Sequence, residues 1–112
     1  MKIALPTAEG KLCMHFGHCD QFTLMDVDAD QKKILATEMV DAPPHEPGLL
    51  PRWLAEKGVN CVIAGGMGGR AIGLFQEAGI KVVTGASSES PEKLVMDFLN
   101  NALVTGRNAC DH

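Results

Sequence analysis

Short apolar runs and stripes at helical spacing follow one another along this chain, and their order implies an architecture before any chemistry is considered. Ile3 to Leu5 form a first apolar strand ended by Pro6, and the segment Thr7 to Asp20, rich in Gly, Cys and His without a clear period, reads as a functional loop. Gln21 to Asp28 and Lys33 to Val40 are strand-like runs joined by the polar turn Asp28-Ala29-Asp30-Gln31, which predicts an antiparallel hairpin. Asp41 to Pro47 then blocks both helix and ladder, because its prolines lack an amide donor and restrict the residues before them. Beyond this linker, Leu49, Leu50, Trp53 and Leu54 fall at helical spacing, with Gly58 as the stop. Cys61 to Ala64 is a short apolar strand. Glycines follow it, then a helix carrying Ile72, Phe75 and Ala78 on one face and closed by Gly79. Ile80 to Thr84 reads as another buried strand. Ser90-Pro91 starts a last helix, a capping residue followed by proline at the first helical position. Its apolar face is Leu94, Val95, Phe98, Leu99 and Ala102, with its end expected near Gly106.

The resulting order is strand, hairpin, helix, strand, helix, strand, helix, and alternating strands and helices require parallel pairing with crossovers. A mixed α/β fold follows, a five-stranded sheet with helices on its faces. A length of 112 residues fits one domain over 1–112, with a tail at 107–112. Hydrophobic residues at 46% and charged residues at 21% give an ordinary globular balance, so the core should stand without a metal.

Ten basic against fourteen acidic residues leave a net charge of -4 and no basic block, which argues against a nucleic-acid partner. No apolar run near the N-terminus is long enough for a signal peptide or a membrane span, and the expected location is the cytoplasm. There, four cysteines in a chain with an adequate core suit metal or redox chemistry better than structural disulfides.

The densest chemistry lies in Cys13-Met14-His15-Phe16-Gly17-His18-Cys19, where Cys13, His15, His18 and Cys19 are candidate ligands for zinc, copper or iron. Cys110 and His112 repeat the thiol and imidazole pairing at the C-terminus. His45 is a further loop histidine, held in reserve, and Cys61, opening a buried strand, reads as packing. Gly65-Gly66-Met67-Gly68-Gly69-Arg70 lies between a strand and a helix, where free amides and the helix dipole favour an anion, with Gly66, Gly68, Gly69 and Arg70 as the contacts. Gly66 to Ala71 also fits a permissive dinucleotide fingerprint, but the next strand ends in Thr84-Gly85 without an acid for a ribose. The alternative for these glycines is close packing of helix on sheet.

His15-Phe16-Gly17-His18-Cys19, Pro47-Gly48-Leu49-Leu50-Pro51, Ile63 to Gly68 and Cys110-Asp111-His112 together make the chain resemble the dinitrogenase iron-molybdenum cofactor family over essentially its whole length. It is similar to the NifX-like and NafY-like carriers and to small stand-alone members such as the molybdenum-copper orange protein. The resemblance implies a three-layer, ribonuclease H-like fold with strand order 3-2-1-4-5 and strand 2 antiparallel. It implies binding, storage or delivery of a metal-sulfur cluster of iron-sulfur, iron-molybdenum or molybdenum-copper type, in exchange with a donor or acceptor protein. His15, His18 and Cys19 match the family motif best, whereas Cys13 stands outside it. Nuclease chemistry needs clustered carboxylates, and Lys2 to Pro6 carries none. A binding protein rather than an enzyme is expected, as a monomer or weak homodimer. The alternatives are a single zinc or iron ion with a structural or regulatory role, and a nucleotide- or anion-binding module.

Overall fold

The computed structural model describes residues 1–13, 21–43, 48–103 and 105. Its strands are β1 (Lys2–Ala8), β2 (Lys11–Leu12), β3 (Gln21–Asp28), β4 (Lys33–Asp41), β5 (Cys61–Ile63) and β6 (Lys81–Val83), and its helices are α1 (Leu49–Glu56), α2 (Gly69–Glu77) and α3 (Pro91–Leu99). The main sheet runs β4-β3-β1-β5-β6, which is the expected 3-2-1-4-5 order, and the short β2 pairs with β1 off this path. β3 is antiparallel to both β1 and β4, while β1, β5 and β6 are parallel.

Two features depart from the sequence reading at the start of the chain. β1 continues through Pro6 to Ala8, and a hairpin occupies the beginning of the segment read as loop. Pro6 is tolerated because its carbonyl accepts from the Cys13 amide at 2.8 Å, on the side away from β3. Amide and carbonyl of one strand residue point the same way, so the missing donor falls outside the β1–β3 ladder. The parallel pairing with β5 has by then ended at Ala4. The hairpin turns on Glu9 and Gly10, both at positive φ (54° and 79°), the backbone of a two-residue turn that matches strand twist.

All three helices end in the same way, and the residue that permits it is local in each. Gly58 (φ 83°), Gly79 (φ 80°) and Asn101 (φ 58°) turn left-handed after the last helical residues. The following amides then reach back: Val59 to the Leu54 carbonyl, Ile80 to Phe75 and Ala102 to Asp97, at 3.1, 2.9 and 2.7 Å. Helix α3 therefore stops at Leu99, short of Ala102, because Asn101 takes the left-handed position well before Gly106. Ala78 likewise caps α2 and is exposed rather than part of its buried face. At its start α3 is closed as expected, Ser90 Oγ accepting from the Lys93 amide at 3.4 Å with Pro91 at the first helical position.

The sheet is covered on both sides. Ala4, Phe22, Leu24, Val62 and Ala64 meet Leu54, Met67 and Phe75 on the α1 and α2 side. Ile3, Leu5, Met25, Val27, Cys61 and Ile63 meet Leu94, Val95 and Leu99 of α3 on the other. Alternate residues of β1 and β5 go to opposite clusters, as the two-residue strand period demands. Each large apolar side chain fully buried in this way contributes about 1.5–3 kcal/mol. β6, read as buried, is a sheet edge, and it leaves Lys81 exposed and Val82 and Val83 half-buried.

Candidate functional site

Because β1, β5 and β6 are parallel, their C-terminal ends lie at one end of the sheet, where β3 begins and β4 ends. In open α/β sheets this is the end at which ligands bind. Backbone hydrogen bonds knit its loops together. The Leu12 amide donates to the Glu89 carbonyl and Ser88 Oγ to the Leu12 carbonyl, both at 3.0 Å, tying the β1–β2 hairpin to the loop after β6. The Gly85 amide donates to the Gly65 carbonyl at 3.0 Å and Ala86 to Ala64 at 3.3 Å, tying that loop to the one after β5. Cys13 and the Gly65–Arg70 segment therefore flank a shared connection, Gly85 to Glu89. No other part of the described chain brings two sequence-predicted site segments together.

Within the Gly65–Arg70 segment, Gly65, Gly66 and Met67 are buried, while Gly68, Gly69 and Arg70 are exposed at the start of α2. Gly68 is the residue before the helix, in extended backbone (φ -65°, ψ 151°), with no side-chain cap, and the first turn of α2 carries no acid. The first-turn amides have no carbonyl partner within the helix. The packing explanation for two of the glycines does not hold: a Cβ at Gly68 or Gly69 would meet nothing within 4 Å, and neither residue has positive φ. Nothing in the described chain demands glycine at either position.

Cys13 is half-buried and disulfide-bonded. This departs from the expectation of free thiols, and a disulfide sulfur offers no thiolate to a metal. His15, His18, Cys19, His45, Cys110 and His112 lie outside the described residues. Among the described residues no group of three or more His, Cys, Asp or Glu is placed to hold a metal ion. Cys61 is fully buried in the α3-side cluster, and burial pushes its thiol up to about 11, against the smaller opposing pull of Lys81. It belongs to the core, as its place in an apolar strand predicts.

A polar pair that the sequence reading missed lies in the same end of the sheet. Thr7 and Thr23 share a hydrogen bond of 3.1 Å between their hydroxyls, and both are buried, at 1% and 3% exposure. Each threonine fits its strand pattern as well as valine would, so the only sequence signal was a polar residue at an inward-facing position of two neighbouring strands. No helix among the described residues is long and apolar enough to cross a membrane.

The family model described as dinitrogenase iron-molybdenum cofactor matches residues 1–101. The chain belongs to this family. This member of the dinitrogenase iron-molybdenum cofactor family is 28% identical over 106 residues to an uncharacterized protein of Methanocaldococcus jannaschii, covering 92% of this chain and 89% of that one. The crystal structure of PH0822 superposes with a TM-score of 0.85 at 29% identity, covering 94% of each chain. The apo form of the orange protein from Desulfovibrio gigas superposes with a TM-score of 0.72 at 25% identity, over 96% of this chain and 93% of that one.

Proposed function

We propose that this member of the dinitrogenase iron-molybdenum cofactor family binds a metal-sulfur cluster, of iron-sulfur, iron-molybdenum or molybdenum-copper type, as cargo and passes it between a donor and an acceptor protein, without catalysing a reaction. The cargo sits at the C-terminal end of the parallel strands, with thiolate and imidazole ligands drawn from Cys13, His15, His18, Cys19, Cys110 and His112. Amides at the start of α2 face its anionic side, with Gly66, Gly68, Gly69 and Arg70 as contacts. The observation that carries this reading is the start of α2, which has no side-chain cap and where a Cβ at Gly68 or Gly69 would meet nothing within 4 Å among the described residues. A bare backbone there lets a bulky anion reach the amides, and a positive side chain at Arg70 favours it. The hydrogen bonds that join the hairpin carrying Cys13 to the loop beside Gly65 support a single site rather than two.

The reading is tested by anaerobic reconstitution of the reduced full chain with iron and sulfide, and separately with thiomolybdate and copper. Visible absorption and elemental analysis are the readouts. A sulfur-bridged chromophore is expected, lost in the His18→Ala/Cys19→Ala variant and weakened by truncation after Ala109. Unchanged metal content in the double variant rules out the Cys13–Cys19 segment as the site, and a colourless protein holding one zinc ion favours the single-ion alternative. Loading is expected only after reduction, because the Cys13 disulfide must open before its sulfur can bind.

A further inference from the structure

β4 ends the strand order, so one edge of its nine-residue backbone has no strand partner among the described residues. Edges of this length are ordinarily shortened, covered or filled with inward charge. Here two of the three exposed large hydrophobics of the described chain, Leu35 at 65% and Met39 at 55%, project from that strand. The strand also has a charge polarity: it is entered through Lys32 and Lys33 and leaves on Asp41. Laid antiparallel on a copy of itself, its basic end meets the acidic end of the other strand twice, whereas parallel pairing would set like beside like.

We propose that β4 pairs antiparallel with β4 of a second copy about a twofold axis at Thr37, so that one sheet runs through the dimer. This inference is independent of the cargo-binding reading. A twofold axis that makes antiparallel neighbours stands perpendicular to the sheet, so opposed residues share a face and the axis must pass through a residue position. Centring on Thr37 opposes Leu35 to Met39 twice and Ala36 to Glu38 twice. Centring on Glu38 would oppose two carboxylates, and centring on Ala36 would set Lys33 against Met39. The irregularity in the β3–β4 ladder leaves Leu35 without a partner on β3, at one margin of this pairing. The central ladder groups from Ala36 to Glu38 remain regular. The contact is one strand deep, so it belongs with interfaces under about 1,200 Å², which are weak and concentration-dependent.

The test is sedimentation equilibrium of the reduced full chain from about 10 µM to about 500 µM, a range that brackets a weak association. The weight-average mass is expected to rise from 11.9 kDa toward twice that value. Met39→Glu should weaken the dimer at least tenfold without lowering the melting temperature, since that side chain is exposed. Thr37→Cys should cross-link between copies on mild oxidation, because directly opposed residues have Cα atoms about 4.5–5.5 Å apart, within disulfide reach. Peptide mapping assigns the linkage to position 37. Met39→Cys should not cross-link to its own copy, which lies about 13 Å further along the partner strand. A chain that stays monomeric throughout the range overturns the proposal. So does a Met39→Glu variant that dimerises like the parent, or a position 39 that cross-links as readily as position 37.

Discussion

Replacing Gly69 with alanine should move stability and loading in opposite directions. Gly69 is the first residue of α2, its φ is not positive, and an added Cβ would meet nothing within 4 Å. Alanine therefore fits the folded backbone while narrowing the unfolded ensemble, which stabilises by about 0.4–1 kcal/mol. For a domain of this size that is a rise in melting temperature of about 2–6 °C. The same methyl group adds bulk within the first turn, whose amides are proposed to face the cargo. If one charge-assisted hydrogen bond from those amides to the cargo is lost, about 1.5–3 kcal/mol goes with it, an affinity loss of roughly tenfold to a hundredfold. The assay pairs a thermal melt of the metal-free protein with transfer of cluster to a competing chelator, each on parent and Gly69→Ala chains. General damage lowers both quantities, so the opposed signs are the signature. A stabilised variant that holds cluster as tightly as the parent would refute the role of these amides, and a destabilised one would refute the open backbone on which the argument rests.

The buried Thr7 and Thr23 hydroxyls satisfy each other at 3.1 Å, so Thr23→Val should cost about 1–3 kcal/mol by stranding Thr7, while Thr7→Val/Thr23→Val recovers most of that loss. Urea midpoints of the two single variants and the double variant measure this, and simple additivity of the single losses would refute the pairing. Burial raises the Cys61 thiol from 9.0 to about 11, so its contribution is fully present below pH 9.0 and is lost as pH rises toward about 11. Across that window the parent should lose about 2–3 kcal/mol that Cys61→Ala does not, and identical pH slopes in urea unfolding would contradict the burial of the thiol.

The parts of the fold that were legible in the sequence are those governed by local geometry. Gly58 and Gly79 announce helix ends because a left-handed residue is needed there and glycine adopts it freely. Ser90-Pro91 announces a helix start for an equally local reason, a side-chain acceptor followed by a preset φ. Pro6 was misread because its effect depends on which neighbour its nitrogen faces, and that is settled by β3 and β5, far away in sequence. The early end of α3 was hidden for a related reason. Asn101 can continue a helix or leave it, and the apolar spacing of Ala102 favoured continuation, whereas Asn101 turns left-handed and Ala102 is exposed. At the site, the Gly65–Arg70 segment could be found from composition, but its two explanations, close packing and ligand approach, have the same sequence. The open space at Gly68 and Gly69 counts against close packing at those two positions.

The placement of the two described cysteines bears on how a carrier could release its cargo. Cys61 lies in the α3-side core with its thiol held protonated, so it strengthens the fold and has no thiolate to contribute. Cys13 lies just beyond β2, where its amide donates to the Pro6 carbonyl and its sulfur is in a disulfide. Among the described residues, apolar clusters cover both faces of the sheet and three helix ends are closed. In small metal-dependent folds the ion supplies about 10–16 kcal/mol that doubles as folding energy, so releasing the ion unfolds the chain. If the protein carries a cluster as proposed, the apolar clusters of the described residues let its affinity be tuned without unfolding the chain. Such a separation of core from ligands suits the proposed delivery role, because cargo can then leave a chain that stays folded.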